Sequence, residues 1–304
     1  MPANPADPFI MTAPALISFS GGRTSAYMLR RILDAHNGTL PEGVVVAFAN
    51  TGKEREETLR FVHECGSRWG VHIHWLEWRN AKPVFEEVGY NSASRNGEPL
   101  AALIEKKGYL PNVVTRFCTQ EAKVRVMRDF ARSLGWDHWT NVIGFRADEG
   151  HRVLRMERAN EMGKERWQSI APLAAEGVGV RDVTAFWSAQ PFDLELKSYE
   201  GNCDLCFLKG RKKLLALAHE NPGATDWWAE QERVVTGLRA TSTGARFITE
   251  FSYSELARDA AAQPNLFDGL DDGDDADCTG FSCGNDSPAE IAAMQRHFEK
   301  TRVA

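Results

Sequence analysis

The stretch LISFSGGRTS at positions 16–25 decides the fold, because it joins an apolar run to a Gly-rich turn and then to a helix-forming segment. A second apolar strand follows at Val44–Phe48, and Glu54–Trp69 carries its apolar residues on one helical face. His72–Trp78 supplies a third strand. Strands that alternate with helices pair in parallel through right-handed crossovers. The sequence therefore predicts an α/β fold with a doubly wound, mostly parallel sheet.

The pattern continues with a helix at about 120–134 and a strand at Trp139–Phe145, and beyond Gly150 it weakens into helices and loops. An acidic Gly/Asp stretch at 268–277 is typical of a solvated linker, and Ser287-Pro288-Ala289-Glu290 favours a new helix start. We expect four regions: a flexible N-terminus (1–14), an α/β nucleotide-binding domain (15–182), a helical lobe (183–267) and an acidic linker with a Cys-containing tail (268–304).

The composition indicates a soluble, cytoplasmic protein without a membrane partner. The chain has 304 residues, 43% hydrophobic and 26% charged, with a formal net charge of −6. It contains no run of about 18 apolar residues and no secretory signal at its start. The negative charge argues against a generally basic surface for nucleic acid, although a local basic patch stays compatible with it.

The Gly-rich turn suits phosphate. A Ser/Gly turn between a buried strand and a helix places backbone N–H groups at the positive end of the helix dipole. Ser20, Thr24 and Ser25 add hydroxyl donors. The Gly-Lys-Ser/Thr of the kinase and GTPase P-loop is missing, so this loop is of another kind. An ordinary strand-to-helix turn is the alternative for the loop taken alone.

The cysteines favour a metal centre. Cys203-Asp204-Leu205-Cys206 places two thiols one tight turn apart, a spacing that lets both reach one metal ion or cluster edge. Cys118 precedes Thr119, which we expect to cap a helix. A structural Zn²⁺ held by Cys203, Cys206, Cys278 and Cys283, or unligated thiols, are the alternatives. Cys65 lies on the apolar face of its helix and is predicted to be a buried core thiol.

Four ordered motifs carry a family resemblance between about residues 16 and 213. The loop at 18–25 resembles the pyrophosphate loop of the adenine nucleotide α-hydrolase superfamily, and more narrowly of the phosphoadenosine phosphosulfate (PAPS) reductase family. The other three motifs are Asn50-Thr51-Gly52-Lys53-Glu54, Arg116-Phe117-Cys118-Thr119 with Lys123, and Gly144-Phe145-Arg146-Ala147-Asp148-Glu149 with Arg152. Many ATP-cleaving relatives carry Asp at the position of Thr24, so the binding of Mg²⁺ at this loop does not follow from the resemblance. The sequence also has no counterpart of the Glu-Cys-Gly-Leu-His ending of the thioredoxin-dependent reductases.

The resemblance implies ATP or a PAPS-like nucleotide as ligand, with Mg²⁺ as a further candidate, and a [4Fe-4S] cluster held by Cys118, Cys203 and Cys206. Cys283 or Cys278 is the candidate fourth ligand, and otherwise one iron stays open for hydrosulfide or substrate. The implied catalytic residues are Cys283, Arg146 and Asp148. The implied nucleotide-binding residues are Ser18, Ser20, Gly21, Gly22, Arg23, Thr24, Ser25, Asn50, Thr51, Gly52, Arg116, Lys123, Gly144, Arg146 and Arg152.

Two classes of function follow. The first is an enzyme of sulfur metabolism that either activates an acceptor with ATP before sulfur transfer or reduces a sulfonucleotide through a thiolate such as Cys283. Its partners would be a nucleic-acid or small-molecule sulfur acceptor and a protein electron or sulfur donor, and a homodimer is compatible with the sequence. The second is a nucleotide-binding subunit of a nucleic-acid sulfur-modification or defence complex without turnover of its own. The basic run at 209–213 is a candidate attractor of an anionic substrate.

Overall fold

A computed structural model describes residues 7–197, 199–238 and 245–262. Its centre is a six-stranded sheet of order β4-β3-β2-β1-β5-β6, in which every pairing is parallel except that of β3 with β4. The predicted doubly wound α/β fold is confirmed. The strands are β1 (Ala15–Ser18), β2 (Val44–Asn50), β3 (Ile73–Trp78), β4 (Phe85–Val88), β5 (Trp139–Ile143) and β6 (Trp167–Ile170).

Helices cover both faces of the sheet. Those in the described part of the chain are α1 (Arg23–Ala35), α2 (Glu56–Trp69), α3 (Glu98–Lys107), α4 (Phe117–Thr119), α5 (Val126–Ser133), α6 (Gly150–Met162), α7 (Pro172–Ala175), α8 (Val180–Ser188), α9 (Arg211–Glu220), α10 (Asp226–Leu238) and α11 (Tyr253–Ala262). A π-helical segment, Gln120–Arg125, joins α4 to α5, and a 3₁₀ turn, Ala147–Glu149, precedes α6.

Alternate residues of the central strands feed two hydrophobic cores. Ile17 of β1 faces a core formed with α1, α2 and α8, whereas Leu16 faces a core formed with α3, α5 and α9–α11. This alternation is the two-residue period of a strand, applied to a sheet that is buried on both sides. Because both faces of the sheet are buried, the sequences of β1 and β2 are almost continuously apolar.

The structure departs from the expected chain organisation near the N-terminus and beyond Gly150. Phe9 and Met11 are packed rather than flexible, because both are buried and the Met11 N–H donates to His36 Nε2 at 2.9 Å. Beyond Gly150 the chain adds another parallel strand, β6, in which the polar residues Gln168 and Ser169 hide the apolar pattern. The edge strand β4 and helix α3 were not predicted either, because their sequences show no clear pattern.

The predicted helical lobe shares its core with the sheet. Leu214 of α9, Trp228 of α10 and Tyr253 of α11 pack in the same cluster as Leu16 and Trp78. The predicted boundary at 182/183 lies inside α8. The acidic linker, the helix start at Ser287 and both tail cysteines lie outside the described residues. None of the described helices combines the length and apolar character needed to cross a bilayer.

Candidate nucleotide and metal site

The strand order reverses between β1 and β5, which are neighbours in the sheet although β2 to β4 lie between them in sequence. In open α/β sheets, ligands bind outside the carboxyl ends of the strands at this switch point. The segments that follow β1 and β5 are the Gly-rich loop at 20–25 and the Gly144–Arg152 motif. The topology therefore brings two of the four motifs to one crevice.

The shape of the Gly-rich loop depends on Gly21. This residue has φ +81°, and a Cβ at its position would lie 2.7 Å from Thr58 Cγ2. Within the loop, Ser20 Oγ and Ser25 Oγ lie 2.8 Å apart, and Ser25 Oγ donates to the Gly22 carbonyl at 3.0 Å. Helix α1 begins directly after Gly22, so the positive end of its dipole lies at the crevice. The loop is thus fixed in the form that suits an anion.

The segment after β5 approaches this loop closely. A Cβ on Gly144 would lie 3.1 Å from Ser25 Cα, so a larger residue would separate the two segments. Arg146, only 7% exposed, donates from Nη1 to Thr24 Oγ1 at 3.1 Å and from Nε to Asp148 Oδ1 at 2.9 Å. Arg152, also buried, is paired with Glu149. Two guanidinium groups are therefore held at the switch point by carboxylates.

The turn after β2 is held by buried carboxylates. Asn50 donates from Nδ2 to Glu77 Oε1 at 2.6 Å, and its Oδ1 accepts the Gly52 N–H at 2.9 Å. Both the N–H and the hydroxyl of Thr51 donate to Glu54 Oε2 at 2.8 Å. The hydrogen bonds organise the Asn50–Gly52 turn without any ligand.

Three cysteines from distant parts of the chain line one pocket. Cys118 enters from the start of α4, and Cys203 and Cys206 enter from the loop that precedes α9. The complete lining is Thr51, Glu54, Leu100, Arg116, Cys118, Thr119, Lys123, Cys203, Cys206, Phe207, Leu208 and Trp228. The pocket thus combines thiols with two basic side chains and an apolar wall.

Cys118 lies in the first turn of α4 rather than before the helix, because Thr119 is not the cap. The helix begins at Phe117, and Arg116 occupies the N-cap position without a side-chain capping bond. Thr119 therefore has helical backbone and lines the pocket instead. In the same pocket lining, Lys123 Nζ lies 3.0 Å from Oε1 of the buried Glu54.

The spacing of the thiols differs from that of a closed single-ion site. Among the described residues, the group of three possible ligands within 4.8 Å of one another is His72, His74 and Glu87, not the pocket cysteines. A single zinc ion draws its thiolates close together, whereas a cubane cluster is wider and holds them farther apart. The three thiols line one pocket without forming such a close group.

The cysteine loop is tied directly to the phosphate loop. Asn202 donates from Nδ2 to the Ser20 carbonyl at 2.9 Å, and its own carbonyl accepts the Arg55 N–H at 2.8 Å. One residue later, an isolated bridge pairs Cys203 with Glu54. The Asp204 N–H donates to the Lys53 carbonyl at 3.0 Å, and Lys53 Nζ lies 2.7 Å from Asp204 Oδ2. Sequence reasoning did not find Asn202, because no local pattern marks a bond to a residue 182 positions away.

Several predicted residues have structural partners that the sequence did not reveal. Arg23 is held by Asp193 through two contacts of 2.7 Å, so its side chain anchors the 193–196 segment to α1. Ser18 Oγ lies 3.2 Å from Met127 Sδ, where β1 packs against α5. Cys65 is fully buried, as predicted, and burial raises the pKa of its thiol. Cys278 and Cys283 lie outside the described residues.

The basic run at 209–213 is partly engaged in the fold. Lys209 donates from Nζ to the Cys203 carbonyl at 3.0 Å, and Arg211 lies 2.7 Å from Asp259 of α11. Lys209 therefore steadies the cysteine loop from its outer side. Of this run, Lys209 contacts the cysteine loop, whereas Arg211 contacts α11.

Comparison with known proteins finds one clear similarity. The chain is 29% identical over 231 residues to the "Uncharacterized nin region protein ORF290" of Escherichia phage lambda, a match that spans 73% of this chain and 74% of the relative. No family model matches the chain.

Proposed function

We propose that the protein is an adenine-nucleotide enzyme of sulfur chemistry, which binds ATP or a PAPS-like nucleotide at the switch point and holds a [4Fe-4S] cluster in the thiol pocket. The observation that carries the proposal is the bond from Asn202 to the Ser20 carbonyl, 2.9 Å long, because it joins the phosphate loop to the loop that bears two of the pocket thiols.

The phosphate end of the nucleotide would bind at the loop of residues 20–25. Backbone N–H groups at the start of α1 and the buried guanidinium groups of Arg146 and Arg152 supply positive charge on both sides of the crevice. In the ATP-dependent version of the reaction, an acceptor oxygen attacks the α-phosphate and pyrophosphate leaves. Donors that are fixed before the reaction stabilise the charge of that leaving group. The adenosine would lie near the turn at 49–51.

The cluster would be held by Cys118, Cys203 and Cys206, with a tail cysteine, Cys283 or Cys278, as the fourth candidate. Such a cluster supplies electrons or an open iron that binds sulfur. Leu100, Phe207 and Trp228 give the pocket an apolar lining, and Arg116 and Lys123 add basic side chains to it. This arrangement suits an anionic sulfur group that moves between the nucleotide and the pocket.

Asp148 would orient Arg146 rather than act on the substrate directly. One of its oxygens accepts from Arg146 Nε, and the other accepts the Val180 N–H at 3.1 Å. Arg146 is in turn bonded to Thr24 of the phosphate loop. The role of Cys283 as a nucleophile in the reductive version remains a hypothesis on the sequence.

A second candidate function is a nucleotide-binding subunit without turnover, and Thr24 favours it. Thr24 is 3% exposed and its hydroxyl accepts from Arg146, at the position where many ATP-cleaving relatives carry a carboxylate for Mg²⁺. A neutral hydroxyl that already accepts from Arg146 attracts Mg²⁺ less strongly than a carboxylate would. Its partners would then be a nucleic-acid modification assembly, and its chemistry would belong to another chain.

Turnover assays on anaerobically purified protein separate these functions. The protein is incubated with labelled ATP, or with labelled PAPS and a dithiol reductant, and pyrophosphate, AMP and sulfite are measured beside nucleotide binding by calorimetry. Pyrophosphate release indicates the ATP-dependent enzyme, and sulfite release indicates the reductase. Binding without either product supports the subunit. Absence of heat with every adenine nucleotide would contradict all three.

A test variant and a matched control variant show whether nucleotide affinity depends on the crevice. Arg146→Lys retains the charge but loses the planar fork that contacts both Thr24 and Asp148, so we expect nucleotide affinity to fall. Arg166→Lys is the matched control, because Arg166 is half exposed and pairs with Asp137 away from the crevice. Affinity should stay unchanged in that variant.

A further inference from the structure

A second cluster of possible metal ligands lies at the edge of the sheet. His72 directly precedes β3, and His74 lies two residues later on the same face of that strand. Glu87 belongs to β4, the antiparallel neighbour of β3. The residue that follows it, Val88, is opposite Trp75 of β3. The register therefore brings a carboxylate from one strand beside two imidazoles from its neighbour.

The three side chains already point at one another. His74 Nδ1 lies 2.7 Å from Glu87 Oε1, and His72 Nε2 lies 3.5 Å from the same oxygen. The two imidazole rings are 4.4 Å apart and perpendicular. One ligand atom from each residue thus lies within 4.8 Å of the other two. Only small side-chain movements would let all three residues bind one ion.

The donor set selects the class of ion. Imidazole nitrogen suits zinc and other transition metals, whereas Mg²⁺ and Ca²⁺ prefer oxygen ligands. Two His and one carboxylate are three protein ligands, which leaves a tetrahedral ion one position for water. We propose that His72, His74 and Glu87 form a zinc-type metal site that joins β3 to β4, separate from the thiol pocket.

Packing on one side holds the site in place and exposure on the other side admits the ion. The ring of Phe130 from α5 lies 4.8 Å from that of His74 and fixes it from the core side. The side chain of His72 is 72% exposed and that of Glu87 is 43% exposed. The site therefore has no enclosed space for a substrate. Its effect would be structural, because a metal that binds only the folded edge stabilises that edge.

Zinc binding by matched variants tests this site. Zinc per chain is measured by equilibrium dialysis on the full-length protein, and Tm is measured with zinc and with a chelator. The test variants are His72→Ala, which removes an exposed ring, and Glu87→Gln, which keeps the shape of the side chain. The control is Glu86→Gln, which removes a carboxylate from the same strand that instead contacts Arg79 at 2.7 Å.

We expect the wild-type protein and Glu86→Gln to bind one zinc per chain that both test variants bind at least about tenfold more weakly. The rise in Tm with zinc should disappear in the same two variants. The difference between variants reports this site alone, because all of them retain the pocket cysteines. Equal zinc content and equal Tm shifts in all four proteins would overturn the proposal.

Discussion

The phosphate loop and the thiol pocket lie side by side but are built in opposite ways. The loop is formed by consecutive residues at 20–25, and its hydroxyls bond within the loop itself. The pocket combines residues near 51, 118 and 203, which reach one place only through the fold. Local sequence therefore determines the first region, and long-range contacts determine the second.

This difference predicts how a substitution affects each region. A substitution in the loop should change its backbone shape and its affinity for phosphate together. A substitution in the pocket should remove a ligand while the fold stays intact, because the thiols of Cys118, Cys203 and Cys206 are only partly buried. Variants of the two regions should therefore change different measured properties.

The largest effect is expected from loss of a pocket cysteine. Cys203→Ala removes a proposed cluster ligand, so iron and acid-labile sulfide per chain should fall to near zero after anaerobic purification. Cys118→Ala and Cys206→Ala should behave alike. Elemental analysis and visible absorption measure the result.

The matched control for this prediction is Cys65→Ala. Cys65 is fully buried in the core between α2 and the sheet, so its loss should lower stability and leave the iron content unchanged. Iron lost equally from Cys65→Ala and Cys203→Ala would contradict the assignment. Zinc at one per chain without iron in the wild-type protein, lost with Cys203→Ala, would replace the cluster with a single ion.

The next largest effect is expected at Gly21. Gly21→Ala forces an L-residue to φ +81°, and its Cβ would meet Thr58 at 2.7 Å. Gly38→Ala has a similar φ of +86° with no atom within 4 Å, so it isolates the backbone strain. Both variants should lose about 1–2 kcal/mol from the left-handed conformation. Gly21→Ala should lose a further 1–3 kcal/mol or so from overpacking.

Denaturant unfolding and nucleotide calorimetry measure these two glycine variants. Only Gly21→Ala should lose nucleotide binding, because only its loop must change shape. If Gly38→Ala weakened nucleotide binding as much, general destabilisation rather than the loop would be the cause.

A smaller effect is expected where the two regions join. Asn202→Asp replaces the N–H that bonds the Ser20 carbonyl with an oxygen, which costs about 1–3 kcal/mol of stability. Asn160→Asp makes the same change at the Ser169 carbonyl, between α6 and β6. Nucleotide affinity should fall roughly tenfold, equivalent to about 1.4 kcal/mol, in Asn202→Asp alone. Equal affinities in the two variants would show that the regions are not coupled.

The smallest effect concerns Glu232, which is not among the residues that line the thiol pocket. Burial raises the pKa of this carboxyl to about 7, while its oxygens accept the N–H groups of Phe247 and Tyr253. An unfolded Glu titrates near pH 4.3, so the folded state binds the extra proton between these values. The contribution of Glu232 to the free energy of unfolding is therefore full below about pH 4.3 and declines as pH rises to about 7.

Comparison with Glu232→Gln isolates this titration. The stability of wild-type protein minus that of the variant should decrease from pH 5 to pH 8, measured by denaturant unfolding. Nucleotide binding should stay the same in both proteins. A pH-independent difference would show that Glu232 titrates normally in the folded state.

The sequence predicted what depends on neighbouring residues. The loop after β1, the turn after β2 and the strand before Gly144 lie where the apolar runs and glycines indicated. The strands β4 and β6 were missed because two of the four residues in each are polar, unlike the apolar run that marks β1. The partners of Arg23 and Asn202 were missed because they are more than 160 residues distant in sequence. The tail cysteines lie outside the described residues, so the fourth ligand stays a hypothesis.

The most direct test of one joint site is electron paramagnetic resonance of the reduced protein, purified without oxygen and titrated with ATP and with PAPS. If a cluster in the thiol pocket adjoins the phosphate loop, the reduced protein gives an iron–sulfur signal whose g values shift as one of these nucleotides saturates the protein. An iron–sulfur signal that saturating nucleotide leaves unchanged, or protein without such a signal, would contradict the account.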